Sequence, residues 1–346
     1  MVKLDRINVF INEVPVFKYN GIDISDASES VTKSIEVSLS SGLNEVKTIV
    51  VNEKGMESIP HVMEINYDAP YKKPDLYIVS VGVSRYKNET YNLSFAAKDA
   101  IDVSDFFAKS EVFSKIYSKV LTDENATSSN MSQLGSFLTQ ADIDDVVIMF
   151  IAGHGVLDNN YNYYFGTYDM DFLNPSNGGM PYDDLEELIM NLKCRNKLLF
   201  MDTCHSGELD TDEVETVKTN VQKSGQVAFR SAGEIIQYKE NAFGLENTLE
   251  LSKNLFADLR NGTGATVIAA AGGTEFALEG MNSENGLFTF SLIEGIRTRR
   301  ADLNRDRKYT VSEFRKYISE RVVHLSGGQQ VPTSREENLK NDFRIY

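Results

Sequence analysis

Four short apolar runs constrain this chain more than any other feature. Leu76-Tyr77-Ile78-Val79-Ser80-Val81-Gly82-Val83 is nearly continuous, and Val146 to Ile151, Asn196 to Met201 and Ala265 to Ala271 repeat the pattern. A strand that is apolar on both faces has to be covered on both faces, which is the situation of a parallel sheet flanked by helices. Segments of helical period separate the runs. Leu93 to Lys109 aligns Ala96, Ala100, Val103, Phe106 and Phe107. Ser128 to Gln140 follows a cap at Thr127 or Ser128, Pro181 opens a helix to Leu192, and Gly286 to Arg299 and Thr310 to His324 complete the set. Ser114 to Leu121 reads as one more strand. Strands alternating with helices predict an α/β domain with a mainly parallel central sheet.

The first part of the chain has a different period. Ile7, Val9 and Ile11 alternate with other side chains, as do Ile35, Val37 and Leu39. Ser40 to Asn44 is turn chemistry, Val46 to Val51 can return as a paired strand, and His61 to Tyr67 can add another. Residues 1–72 therefore read as a small β domain, a sheet or an Ig-like sandwich, suited to docking or scaffolding. Pro70 to Pro74 reads as a linker, because each proline holds its predecessor extended. Residues 73–346 form the α/β domain. Within it the polar stretch 207–242 breaks the alternation, and a loop of that length usually has a function of its own or is disordered.

Composition removes several classes of function. The 346 residues carry 35 Lys+Arg against 51 Asp+Glu, a net charge of −16. A general nucleic-acid binder needs the opposite balance. No apolar run approaches the ~18 residues of a membrane helix, and the opening MVKLDRINVF lacks the apolar core of an export signal. Two cysteines make no disulfide framework, so a reducing, cytoplasmic setting is expected.

The chemistry lies where two of the buried runs end. Open α/β sheets bind ligands beyond the carboxyl ends of their strands. Ala152-Gly153-His154-Gly155 follows one run, and Asp202-Thr203-Cys204-His205-Ser206-Gly207 follows another. A histidine beside a cysteine is what a thiol nucleophile needs, since the thiolate is the reactive form and an imidazole can take the proton. The amides of Gly155 and Cys204 are candidate oxyanion donors. Cys194 reads as a small buried hydrophobe. Zinc held by His154, Cys204 and His205 is disfavoured, because four-ligand spacing is absent.

These two motifs resemble those of the caspase-like cysteine peptidases, and among them the metacaspases, paracaspases and bacterial orthocaspases. Cys204 follows His154 by 50 residues, and in caspases the histidine lies about 50 residues upstream of the cysteine. The likeness includes the strand ending at Gly82, the helix from Leu93 to Ala100, Ala269 to Ala271, and Gly286-Leu287-Phe288-Thr289. The resemblance implies a caspase-like fold over about 75–346, with Cys204 as nucleophile and His154 as general base. It also implies that Asp202 is the carboxylate of an S1 pocket that takes Arg or Lys, with Asp99 as its companion. Two departures are visible. Lys98 stands where the family pattern has asparagine, and Ala152 where it often has serine. Peptide or protein substrates with Arg or Lys at P1 follow, with neither nucleic acid nor membrane as partner. A transpeptidase, a deamidase or a silent adaptor acting through the β domain would keep the same fold.

Two further expectations concern regulation. Lys218, Lys223, Arg230 and Lys239 lie in the 207–242 loop and are candidate processing sites of a zymogen. No cofactor is required for the thiol chemistry. Calcium is a candidate ligand of Asp302, Asn304, Asp306 and Glu313, which occupy positions 1, 3, 5 and 12 of a calcium-loop pattern, with Arg307 where that pattern demands glycine.

Overall fold

The computed structural model describes residues 3–17, 20–27, 30–158, 162–190, 192–205, 227–229, 264–270, 278–280, 284–334 and 342–346, with the backbone alone at Leu157, Met190, Cys204, His205, 227–229 and 278–280. The strands form two main sheets. The first is antiparallel and comprises β1 (Leu4–Ile11), β2 (Val14–Pro15), β3 (Ile22–Asp23), β4 (Gly42–Asn52) and β5 (His61–Tyr67), with β1 at its centre and β5 on an edge. It is one sheet rather than a sandwich. Ile35 to Leu39 is not a strand: Val37 and Leu39 pack against the cluster of Val9, Ile11 and Val46. Their alternation reports burial, not pairing.

The second sheet carries β6 (Leu76–Gly82), β7 (Ile116–Thr122), β8 (Val146–Leu157), β9 (Tyr163–Phe165), β10 (Met180–Pro181), β11 (Asn196–His205), β13 (Ala265–Ala269) and β15 (Thr333–Ser334). The core order is β7-β6-β8-β11-β13-β15, and every pair from β7 to β13 is parallel. β6 pairs with β8 as far as Ala152, after which β9 continues antiparallel from Gly155. Helices α1 (Ala96–Phe107), α2 (Ser128–Ser132), α3 (Leu134–Leu138), α4 (Tyr182–Met190), α5 (Leu287–Arg297) and α6 (Val311–Ser326) complete the domain. Phe107, Phe150, Phe165, Phe200, Phe288 and Phe314 are fully buried in its core.

Three expectations change. The helix expected over 128–140 is two short pieces, because serine hydroxyls at 132 and 136 bond back to the carbonyls of Ser128 and Gln133 in a stretch of weak helix formers. Pro181 lies in edge strand β10, opposite Tyr164, and the helix begins at Tyr182. Strand β12 (Val227–Phe229) lies inside the 207–242 stretch and pairs antiparallel with β14 (Leu278–Gly280); the four basic candidate processing sites lie outside the described residues. No described helix is long and apolar enough to cross a membrane.

The N-terminal sheet meets the larger one at the amino ends of two central strands. Arg195, just before β11, is 6% exposed and donates to the Ser38 carbonyl and the Ser40 hydroxyl. Gly264, just before β13, lies so close to Val14 that an added Cβ would stand 2.6 Å from its Cγ1. Near this junction Lys197 is also buried, and burial pushes its amine from 10.5 down to about 8. The charged form is penalised in the folded chain, so between about pH 8 and 10.5 the unfolded state binds more protons and stability from this group rises with pH. Lys197→Met should therefore raise the urea midpoint at pH 7, by on the order of 3 kcal/mol in unfolding free energy, and the gain should shrink towards pH 10. Equal gains at both pH values would contradict a buried, depressed amine.

Candidate active site

The ladder between β8 and β11 runs unbroken from Asn196↔Val146 to His205↔Gly155. It therefore pairs Cys204 with His154, Thr203 with Gly153 and Asp202 with Ala152. Ala152 to Gly155 and Asp202 to His205 lie on the strands themselves, which the glycines and polar residues had hidden from a hydrophobic reading. Neighbouring strands are about 4.8 Å apart, so the thiol-bearing and imidazole-bearing residues are adjacent along the backbone.

His154 is oriented by the chain that follows β6. Asp123 accepts the N–H groups of Ser84 and Arg85, each at 2.9 Å, and pairs with the Arg85 guanidinium at 2.8 Å. That turn delivers Tyr86, whose hydroxyl accepts the His154 backbone N–H at 3.0 Å. A single 3-10 turn, Glu89–Tyr91, follows its Asn88 cap. The Tyr91 carbonyl then lies 2.9 Å from Nε2 of His154. A carbonyl only accepts, so Nε2 carries the hydrogen and the lone pair of the neutral ring sits on Nδ1. Phe172 meets the imidazole edge-on at 5.5 Å and stacks on Tyr91 at 3.8 Å between ring centroids. The orientation of the imidazole is thus defined by a backbone carbonyl and three aromatic rings.

Gly155 is required by close packing. A Cβ there would stand 2.1 Å from the Tyr163 hydroxyl oxygen. That hydroxyl donates to Oγ1 of Thr203 at 2.9 Å, tying β9 to β11 one residue before Cys204. Gly82 has a similar reason: a Cβ would meet the Ala96 carbonyl at 2.2 Å, so glycine lets α1 begin against β6.

The two candidate S1 carboxylates converge on one helix start. Asp202 is 1% exposed, and the Thr289 hydroxyl donates to its Oδ2 at 3.0 Å. Asp99, fully buried in the first turn of α1, accepts the Gly286 N–H at 3.1 and 3.2 Å and Nδ2 of Asn285 at 2.9 Å. Gly286 is the cap of α5, and Thr289 lies in its first turn. A helix N-terminus favours negative charge, so α5 holds both carboxylates in place. Lys98 turns away to pair with Asp102 at 2.6 Å.

The calcium-loop residues lie elsewhere, between α5 and α6. Asp302 accepts the N–H groups of Asp306 and Arg307, both at 3.0 Å, and Asn304 that of Asp306 at 2.8 Å. Asp306 accepts from Lys308 at 2.8 Å. Glu313 forms a capping box with Thr310 and also accepts from the Asn304 N–H. These oxygens close their own turn, and among the described residues no group of three or more His, Cys, Asp or Glu side chains is placed to hold a metal.

The sequence reading missed the residues that support His154. Tyr91 acts through its carbonyl, which any residue supplies, so no side-chain signal exists. The Asn285-Gly286 pair was more accessible: a cap-type residue before an apolar helical run marks a helix start.

The arrangement defines a class: an α/β sheet with a histidine and a cysteine side by side at the carboxyl end of its central parallel strands. The family model of the caspase domain matches residues 77–344, and the chain belongs to that family of peptidases. The match leaves the N-terminal sheet outside. Among curated proteins no relative matches the chain. Among solved structures the chain is similar to the crystal structure of protein GSU0716 from Geobacter sulfurreducens, with 17% identity, coverage of 76% of this chain and 93% of that one, and a TM-score of 0.48.

The Tyr163–Gly155 contact gives a direct test. Gly155→Ala should destabilise the chain by about 1–3 kcal/mol, the usual cost of overpacking. In a Tyr163→Ala background it should cost less than about 0.5 kcal/mol, because the colliding ring is gone. Additive losses in urea denaturation would show that Gly155 is needed for another reason.

Proposed function

We propose that this protein is a cysteine endopeptidase that cuts after Arg or Lys, using Cys204 as nucleophile and His154 as general base. The observation that carries this reading is the in-register pairing of Cys204 with His154, beside a buried Asp202. Nδ1 of His154 takes the thiol proton, and the thiolate attacks the scissile carbonyl carbon. The amides of Gly155 and Cys204 receive the developing oxyanion. The tetrahedral species collapses as the imidazolium returns the proton to the leaving amine, and water then hydrolyses the acyl-enzyme.

Asp202, with Asp99 as companion, forms the S1 floor. A buried carboxylate pairs with a guanidinium through two parallel hydrogen bonds, and with an ammonium as a point charge. Ala152, paired with Asp202, leaves the pocket without a hydroxyl at that position. Thr289 and Asn285 are positioning residues for the two carboxylates. Activity in this reading awaits cleavage in the 207–242 stretch after one of its basic residues, which the enzyme's own specificity permits. The N-terminal sheet is a docking module: edge strand β5 exposes Val62, Met63 and Tyr67. That exposed edge also favours a second reading, in which the chain is an adaptor and its peptidase site is silent.

Turnover of matched fluorogenic peptides ending in Arg, Lys or Asp decides between them. Cleavage after Arg or Lys should vanish in Cys204→Ala. In Asp202→Asn it should fall by about 100-fold or more, since losing one partner of a buried charge pair costs about 3–5 kcal/mol. Intact mass of wild type and Cys204→Ala reads processing in the same samples. Cleavage after Asp overturns the pocket assignment. Silence with every peptide, also after limited proteolysis of the loop, favours the adaptor.

A further inference from the structure

A separate cleft of about 470 Å³ opens at the ends of α1 and α5 remote from the candidate active site. Its size is within the range that holds small ligands. Its walls carry Lys109, Arg297, Arg299, Arg307 and Arg344, against one acidic side chain, Glu111. In a chain of net charge −16 this is a local reversal of sign. The carboxyl end of α5 accounts for Arg297 in its last turn, but Arg299, Arg307 and Arg344 lie outside helices. Arg344 donates through Nε to the Tyr346 main-chain oxygen at 2.9 Å and the Arg297 guanidinium lies 5.7 Å from the Phe106 ring centroid; among the described residues none of the five cations pairs with a carboxylate side chain.

Two of these arginines occupy backbone that suits glycine. Arg299 has φ 59° and Arg307 has φ 65°, a region that glycine enters freely and side-chain-bearing residues avoid. At both positions the chain carries a guanidinium that lines the cleft. The remaining wall is aromatic. Tyr346 stacks on Phe106 at 4.9 Å between centroids and meets Tyr309 edge-on at 6.0 Å. Tyr346 is half-buried and lines the cleft.

We propose that this cleft binds a nucleotide: a small ligand with phosphate groups and a planar ring. Guanidinium forks match phosphate oxygens two at a time, and an aromatic face beside them takes a base by stacking. An acidic peptide would engage the cations and leave the rings unused. Neither Cys204 nor His154 takes part, so the site is independent of the peptidase reading.

Calorimetric titration of the full chain tests this, with ATP, GTP and cyclic AMP as probes and inorganic tripolyphosphate as the ringless control. At least one nucleotide should bind saturably at one site per chain. The exposed pair Arg299→Ser/Arg307→Ser should weaken it at least about tenfold while circular dichroism stays unchanged. Tyr346→Leu should weaken the nucleotide and leave tripolyphosphate untouched. The proposal is overturned if no nucleotide saturates at millimolar concentration, or if the arginine pair binds as wild type does. It is equally overturned if tripolyphosphate or a hexaglutamate peptide binds as tightly as the best nucleotide.

Discussion

The parallel ladder between β8 and β11 is the constraint on which the rest depends. Parallel strands have a fixed register once their hydrogen bonds form, and a slip of one residue would turn every side chain to the opposite face. Here the register is kept over ten consecutive pairs, from the amphipathic start at Asn196 to the pairing of His205 with Gly155. The apolar stretch of each strand fixes that register deep in the core. The polar ends inherit it. Cys204 and His154 are therefore brought together by packing that occurs several residues away from them.

A second constraint acts across the site. Helix α5 follows β13 in the chain, yet its first turn binds Asp99 of α1 through Asn285 and Gly286, and Asp202 of β11 through Thr289. Three elements that are distant in sequence meet at one helix start. The buried charges gain hydrogen bonds there, which is the condition under which buried carboxylates are tolerated. The opposite end of the same helix contributes to the cationic cleft. One element thus terminates in two chemically opposite environments, acidic at its amino end and basic at its carboxyl end, each matching the sign that the helix dipole favours there.

Much of this was legible in the sequence, and the reasons are physical. Strands apolar on both faces announced the parallel sheet, and the polar motifs at their ends pointed to the two residues that the ladder pairs, Cys204 and His154. Hydrophobic pattern failed where pairing and burial part company. Ile35 to Leu39 alternates without pairing, and Ala152 to Leu157 pairs without an alternating pattern. Pro181 fits an edge strand as well as a first helical turn. The support of His154 was not legible at all. Its partner is a backbone carbonyl, and its ring neighbours Tyr86, Tyr91 and Phe172 are brought there by tertiary structure.

The attachment of the N-terminal sheet has a consequence for reach. It is fastened beside Arg195 and Gly264, at the amino ends of β11 and β13, whereas Cys204 lies eight residues beyond Asn196, the first residue of β11. At about 3.3 Å per residue that is roughly 26 Å of strand. An extended polypeptide advances about 3.3–3.6 Å per residue. In the proposed reading, a target held beside that junction has to run some eight residues or more before it reaches the thiol. On that reading the body of the protein is a ruler, setting a minimum spacing between a docking segment and a scissile bond.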